Sequence, residues 1–147
     1  IKPENILLIE PAYRNKYPPL GLMKIAQYHG PHGKKDKVRF IKGDDRSVLG
    51  TAWDRIYITT LFSFEYRRIS ESIDFALQAA NGHADKVFVG GIAASLMHDR
   101  FLQEPRWRGI GIRIEDDVLV TNGSCEVITR ETPKSIADIE ALKRDAR

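Results

Sequence analysis

The chain has 147 residues, a length typical of one domain or of one domain with an appendage. Hydrophobic residues make up 42% and charged residues 29%, which excludes wholesale disorder. The net charge of +3 is small and the basic residues are scattered, so the charge gives no support for a nucleic-acid partner. The single cysteine, Cys125, excludes an internal disulfide framework and a metal cluster built on several cysteines of this chain.

The hydropathy of the chain bears on its location. No apolar run approaches the ~20 residues of a membrane span. The first four residues do not resemble a signal peptide. We therefore expect a cytoplasmic protein with no membrane partner, in a reducing compartment.

Strand and helix patterns alternate along the first hundred residues. Short apolar or alternating runs predict strands at residues 5–10, 37–41, 55–60 and 86–89. Helical spacing predicts a helix from Leu20 to the stop at Gly30-Pro31, and further helices over 63–80 and 92–102. This order predicts an α/β fold with a parallel sheet covered on both faces, and an α+β arrangement is the alternative.

Ligands of such sheets lie beyond the carboxyl ends of the strands. The side chains and glycines at those ends are therefore the candidate binding residues, and glycines there let backbone approach a ligand closely. A tight strand-to-helix turn is the other interpretation of the glycine pair. The candidates are Glu10, Tyr13, Thr59, Thr60, Gly90 and Gly91.

Aromatic and histidine residues offer weaker candidates. Tyr17 and Phe64 can line the same crevice, although aromatic residues near strand ends usually belong to the core. His29 and His32 flank Gly30-Pro31, and a surface loop is the favoured interpretation for both.

Residues 3–104 resemble the N-terminal, cobalamin-binding-type domain of radical SAM proteins. Three segments carry the resemblance: residues 6–29 with Pro18-Pro19-Leu20-Gly21-Leu22, residues 54–64, and residues 89–97. The resemblance implies a Rossmann-like, three-layer domain beside a radical SAM barrel, with cobalamin as the possible cofactor. The cysteine motif of that barrel is absent from this sequence, as is the Asp-x-His-x-x-Gly motif that supplies an axial histidine in other cobalamin proteins.

Residues 106–142 resemble the C-terminal end of aminopeptidase P, a pita-bread metallopeptidase. The resemblance is carried by Gly109-Ile110-Gly111-Ile112-Arg113-Ile114-Glu115-Asp116-Asp117 and the residues that follow. It implies that Glu115 matches a glutamate bridging two metals and that Arg113 supports it. The motifs of the other four ligands do not occur in residues 1–104, so Glu115 is only a vestigial metal candidate and we expect no metal site.

The residues of the tail (105–147) predict its local structure. Residues 110–114 alternate as a strand. Residues 118–121 and 126–129 flank a turn at Asn122-Gly123-Ser124, which predicts a hairpin. Residues 133–144 predict a short helix. These strands can extend the main sheet, pair in a homodimer, or form a separate subdomain.

The sequence predicts two domains, 1–104 and 105–147, each similar to part of a different enzyme and without that enzyme's catalytic centre. We therefore expect an engineered or recombinant chimera and not an enzyme. The expected function is a non-catalytic domain that retains at most cobalamin or nucleotide binding. The alternative is an accessory cobalamin-binding domain of a radical SAM enzyme whose barrel is on another chain.

Overall fold

The computed structural model describes residues 2–113, 118–121, 124–127, 135, 137 and 141. The chain divides into two compact units, Ile1–Arg113 and Ile114–Arg147. The first unit therefore includes residues 105–113, which the sequence analysis assigned to the tail. Within the described residues, no helix has the length and apolar character needed to cross a membrane.

The first unit is built on one parallel sheet. Its strands are β1 (Asn5–Glu10), β2 (Lys37–Lys42), β3 (Arg55–Thr59), β4 (Val87–Gly90) and β5 (Gly111–Ile112). They lie in the order β2-β1-β3-β4-β5, and every neighbouring pair is parallel. The four strands predicted in the first hundred residues are confirmed. The short fifth strand extends the main sheet beside β4, which is one of the alternatives left open for the strands of the tail.

Four α-helices cover this sheet. They are α1 (Leu20–His29), α2 (Tyr66–Ala79), α3 (Ile92–Leu96) and α4 (His98–Gln103). The single helix predicted over 92–102 is wrong, because Met97 leaves the helical conformation at φ −122° and ψ 27°. Residues 63–65, predicted as the start of α2, form a 3₁₀ turn instead.

The two faces of the sheet bury different sets of side chains. On β1, Ile6 and Leu8 pack with Leu22 of α1, while Leu7 and Ile9 belong to the larger core on the opposite face. Successive strand residues point to opposite faces, so burial on both faces requires a continuous apolar run. The larger core also contains residues of α2, α3 and α4, among them Ile69, Ile73, Ala93, Ala94 and Phe101. Helices on both faces confirm the α/β, Rossmann-like three-layer fold.

The connections leave β1 and β3 in opposite directions. β1 leads through α1 to β2 on one side, and β3 leads through α2 to β4 on the other. The loops after β1 and β3 therefore diverge to opposite faces of the sheet. This reversal forms the crevice in which open α/β sheets hold their ligands.

The second unit contains a hairpin of β6 (Val118–Thr121) and β7 (Ser124–Val127). The strands are antiparallel, with Val118 opposite Val127 and Thr121 opposite Ser124. The predicted hairpin is confirmed, although its second strand begins at Ser124 instead of Glu126. Residues 122–123 and 128–129, and most of the helix predicted over 133–144, lie outside the described residues.

Candidate functional site

The carboxyl edge of the sheet between β1 and β3 brings together the loops after these strands. Tyr13, which is 4% exposed, accepts a hydrogen bond from the Leu61 N–H at 3.3 Å. Its ring meets Phe62 edge-on, with centroids 5.4 Å apart. Burial raises the pKa of Tyr13 to about 12, so its phenol is neutral at ordinary pH. Tyr13 thus ties the β1 loop to the β3 loop across the crevice.

Thr60 directs its polar atoms toward the start of α3. Its hydroxyl donates to the Gly90 carbonyl at 3.0 Å and accepts from the Ala94 N–H at 2.9 Å. The Thr60 carbonyl accepts from the Ala93 N–H at 3.1 Å. These bonds satisfy two backbone donors at a helix end that would otherwise lack partners. The geometry therefore gives Thr60 a structural role as the cap of α3.

Gly91 has a backbone that suits glycine, at φ +109°. A Cβ atom on Gly91 would lie 2.5 Å from the Thr60 carbonyl oxygen, so packing excludes a side chain there. A Cβ atom on Gly90 would meet the Arg113 side chain at ordinary contact distances, 3.5 Å from its Cβ and 3.9 Å from its Cδ. The tight-turn interpretation thus accounts for Gly91, and the cofactor-binding roles of both glycines stay predictions.

Glu10 is the last residue of β1 and is 3% exposed. Its Oε1 has no hydrogen-bond partner among the described residues. Lys42, its register partner on β2, places Nζ 3.6 Å from that oxygen. Thr59 ends β3 and is 8% exposed. Glu10 and Thr59 therefore flank the crevice as buried polar side chains.

Large apolar side chains are exposed around the same edge. They lie in the loops after β1, β3 and β4 or in the helices that follow those loops, and we call them the apolar rim. Since all these strands are parallel, their loops emerge at one edge of the sheet. Tyr17 and Phe64 were anticipated there, whereas the others were assigned to helices on spacing alone. The rim consists of Tyr17 (81% exposed), Leu20 (67%), Met23 (52%), Phe64 (81%), Ile92 (58%) and Leu96 (71%).

A cavity of about 210 Å³ lies elsewhere, against α4 and the chain leading into β5. Phe101, Trp107, Arg108 and Ile110 are among the residues that line it. None of the six predicted site residues lines this cavity. The cavity and the crevice are therefore separate features of the first unit.

A polar cluster lies where β1 and β2 begin. His29 is 2% exposed, so the expectation of a surface loop is wrong for His29, whereas His32 is exposed as expected. Its Nδ1 donates to Asp36 Oδ2 at 2.7 Å, and the Tyr57 hydroxyl lies 3.3 Å from Nε2. Ligand atoms of Glu4, His29 and Asp36 lie within 4.8 Å of one another, as in a metal site. However, Lys34 Nζ lies 3.4 Å from Glu4 and 3.8 Å from Asp36, so an ammonium already pairs with both carboxylates.

The Asp36 contact makes stability depend on pH. The hydrogen bond from His29 is the main cause that lowers the pKa of Asp36 from its ordinary 3.8. A carboxyl with a lowered pKa in the folded state stabilises the fold above the unfolded-state pKa, and this contribution is lost as the pH falls through the folded-state pKa. We expect Asp36→Asn to flatten the fall in unfolding free energy that occurs as the pH drops below the ordinary carboxyl pKa of 3.8, measured by urea titration.

The control for this prediction is the same change at Asp85, whose side chain is 81% exposed. We expect Asp85→Asn to keep the acid dependence of the wild-type protein. An equal flattening by both variants would contradict the role given to the His29–Asp36 contact.

The sheet order and the crevice define the class of the first unit, a doubly wound α/β domain. No family model matches the chain. A 37-residue segment, 25% of the chain, is 60% identical to "Intermediate cleaving peptidase 55, mitochondrial" of Arabidopsis thaliana. A 37-residue segment is also 46% identical to "Xaa-Pro aminopeptidase 3" of Rattus norvegicus and 49% identical to "Xaa-Pro aminopeptidase" of Haemophilus influenzae.

The match covers 8%, 7% and 9% of those three proteins, so the chain spans only a small part of their length. It supports the resemblance to aminopeptidase P and gives no support to the radical SAM resemblance. Arg113, which the peptidase resemblance singled out, donates its backbone N–H to the Val89 carbonyl at 2.9 Å. Glu115 lies outside the described residues.

Proposed function

We propose that the chain is a non-catalytic, Rossmann-like domain that binds a small organic molecule at the carboxyl edge of its sheet, joined to a fragment similar to a peptidase C-terminus. The observation that carries this proposal is the apolar rim around the crevice between β1 and β3. Exposed apolar side chains that follow three strand ends at one edge of a sheet favour a binding surface along that edge. Elsewhere in the described residues, large exposed apolar side chains are Tyr28, Phe40 and Leu102, on three different elements.

A corrinoid is the ligand class that these residues fit best. A corrin ring has broad apolar faces that suit the rim, and peripheral amides that can donate to a buried carboxylate such as Glu10. When bound, it supplies a redox-active cobalt ion. Nucleotide binding is less favoured, because Thr60 already occupies the N–H groups of Ala93 and Ala94 that a phosphate needs.

Two further parts of the proposal follow from the sequence. The sequence contains the motif around one metal-bridging glutamate, Glu115, but the motifs of the other four metal ligands do not occur in residues 1–104. We therefore propose that the chain has no peptidase activity. The alternative function is an accessory cobalamin-binding domain that works beside a radical SAM barrel on another chain. A cytoplasmic location remains part of the proposal.

The proposal predicts that hydroxocobalamin elutes with the protein from a sizing column in equimolar amount, measured by the visible spectrum of the protein peak. Leu96→Asp places a charge on the rim and is expected to weaken this binding at least ~10-fold, since a charge placed against an apolar ligand surface must be desolvated. A protein peak without corrinoid absorbance would contradict the proposal.

The matched control is Leu102→Asp, which changes a half-exposed leucine of α4 outside the rim. We expect it to leave corrinoid binding unchanged. Equal loss of binding in both variants would assign the effect to general disturbance of this part of the fold.

A further inference from the structure

Glu10 is buried with an incomplete set of hydrogen bonds. Only 3% of the residue is exposed, and Oε1 has no hydrogen-bond partner among the described residues. An ionised carboxylate oxygen can only accept hydrogen bonds, and burial without a donor is unfavourable. Buried polar atoms of this kind are rare in folded proteins and call for a specific explanation.

The nearby lysine does not supply the missing bond. Lys42 Nζ lies 3.6 Å from Glu10 Oε1, beyond hydrogen-bond range. The same ammonium donates to the Asn15 carbonyl at 3.2 Å and lies 3.4 Å from the Asn15 side-chain oxygen. Lys42 therefore holds the loop after β1, balances part of the Glu10 charge and leaves Oε1 without a donor.

Glu10 lies at the edge of the sheet where parallel α/β folds hold their ligands. Glu10 is the last residue of β1, next to the reversal between β1 and β3. Thr59 ends the neighbouring β3, and its register partner is Gly90 at the end of β4. Glu10 shares a face of the sheet with Ile6 and Leu8, because alternate residues of a strand point to the same face. Leu22 of α1 packs against that face, so Leu20, the rim residue that begins α1, lies on the same face as Glu10.

We propose that Glu10 Oε1 accepts a hydrogen bond from a neutral N–H or O–H group of the ligand. This inference rests on the proposed function and names the polar chemistry of its ligand. The site takes a molecule that presents amide or hydroxyl donors at this contact, and it rejects a molecule that presents a carboxylate or phosphate there. Like charges repel strongly when they are brought together out of water. The burial of Glu10 is therefore what makes the site discriminate against anionic groups at this contact.

Two corrinoids with the same ring test this chemistry. Hydroxocobalamin carries peripheral amides and a nucleotide tail, whereas cobyrinic acid carries carboxylates in place of the amides and has no tail, so the change of preference caused by Glu10→Gln is the decisive comparison. We expect the wild-type protein to prefer hydroxocobalamin by at least about tenfold in Kd, measured by equilibrium dialysis. Glu10→Gln supplies a donor amide of the same shape, so it is expected to weaken hydroxocobalamin binding about tenfold and to strengthen cobyrinic acid binding.

The matched control is Lys42→Met, which removes the neighbouring charge and keeps the Glu10 carboxylate. It is expected to keep the wild-type preference for hydroxocobalamin. Equal affinities of wild type and Glu10→Gln for both corrinoids would overturn the inference and leave the proposed function standing. A wild-type protein that binds neither corrinoid would overturn the proposed corrinoid function.

Urea unfolding without ligand tests Glu10 independently of any probe. If the hydrogen-bond partner of the Glu10 carboxylate is a ligand, the carboxylate does not stabilise the ligand-free fold. Glu10→Gln is then expected to unfold at the same or a higher urea concentration than wild type. A lower midpoint for Glu10→Gln would assign the carboxylate to the fold and overturn the inference, whatever the corrinoids do.

Discussion

Replacing Trp107 by alanine is expected to lower the free energy of unfolding of the first unit by about 3–5 kcal/mol. Trp107 is 2% exposed, and its ring stacks on Phe101 with centroids 5.5 Å apart. Its indole N–H donates to Asp74 Oδ1 of α2 at 2.8 Å. The substitution leaves a cavity in the larger core and removes this hydrogen bond. Urea unfolding followed by circular dichroism measures the loss.

The control for Trp107→Ala is its neighbour, Arg106→Ala. Arg106 is about half exposed and pairs with the other carboxylate oxygen of Asp74, at 3.1 Å. An exposed ion pair contributes only about 0–1 kcal/mol, so this variant is expected to unfold close to wild type. A Trp107→Ala protein with the wild-type midpoint would show that residues 105–113 are not part of the cooperative first unit.

The strands and longer helices could be predicted because their patterns are local. The apolar run of β1 and the 3.6-residue spacing of α2 each follow from a few neighbouring residues. Alternation over residues 110–114 also predicts a strand, which the structure forms as the two-residue β5, but alternation does not reveal that β4 is its partner. The Phe88 ring lies where a Gly111 side chain would be, with Cδ1 2.5 Å from the Cβ position. Such a contact between distant residues leaves no periodic pattern in the sequence.

The position of the candidate residues in the sheet could be predicted from the sequence, whereas their contacts could not. The rule for parallel sheets placed Glu10 and Tyr13 at the carboxyl edge, because each follows or ends a recognisable strand. Which residues hold the fold together and which face the crevice depends on hydrogen bonds between residues far apart in the sequence, such as that from the Ala94 N–H to the Thr60 hydroxyl. The same reason applies to His29, whose buried ring contacts Asp36 and Tyr57, residues that no local pattern brings to it.

Gly91→Ala is expected to destabilise the first unit by about 3 kcal/mol or more, through a contact that no local motif reveals. The new Cβ would lie 2.5 Å from the Thr60 carbonyl oxygen and 2.9 Å from its nitrogen. The Thr60 nitrogen and carbonyl already bond Gly90 and Ala93, so the backbone cannot move away without breaking these bonds. Relief of the clash therefore disturbs the start of α3, and urea unfolding measures the cost.

The matched control is Gly50→Ala, which separates the clash from the backbone conformation. Gly50 also has a positive φ, +89°, but nothing lies within 4 Å of its Cβ position. The only destabilisation expected in Gly50→Ala is that of an L-residue in the left-handed conformation, about 1–2 kcal/mol. Equal losses for the two variants would mean that backbone conformation alone requires glycine at position 91. A larger loss for Gly91→Ala assigns the excess to Thr60, and so makes the end of β3 part of the scaffold that supports the crevice.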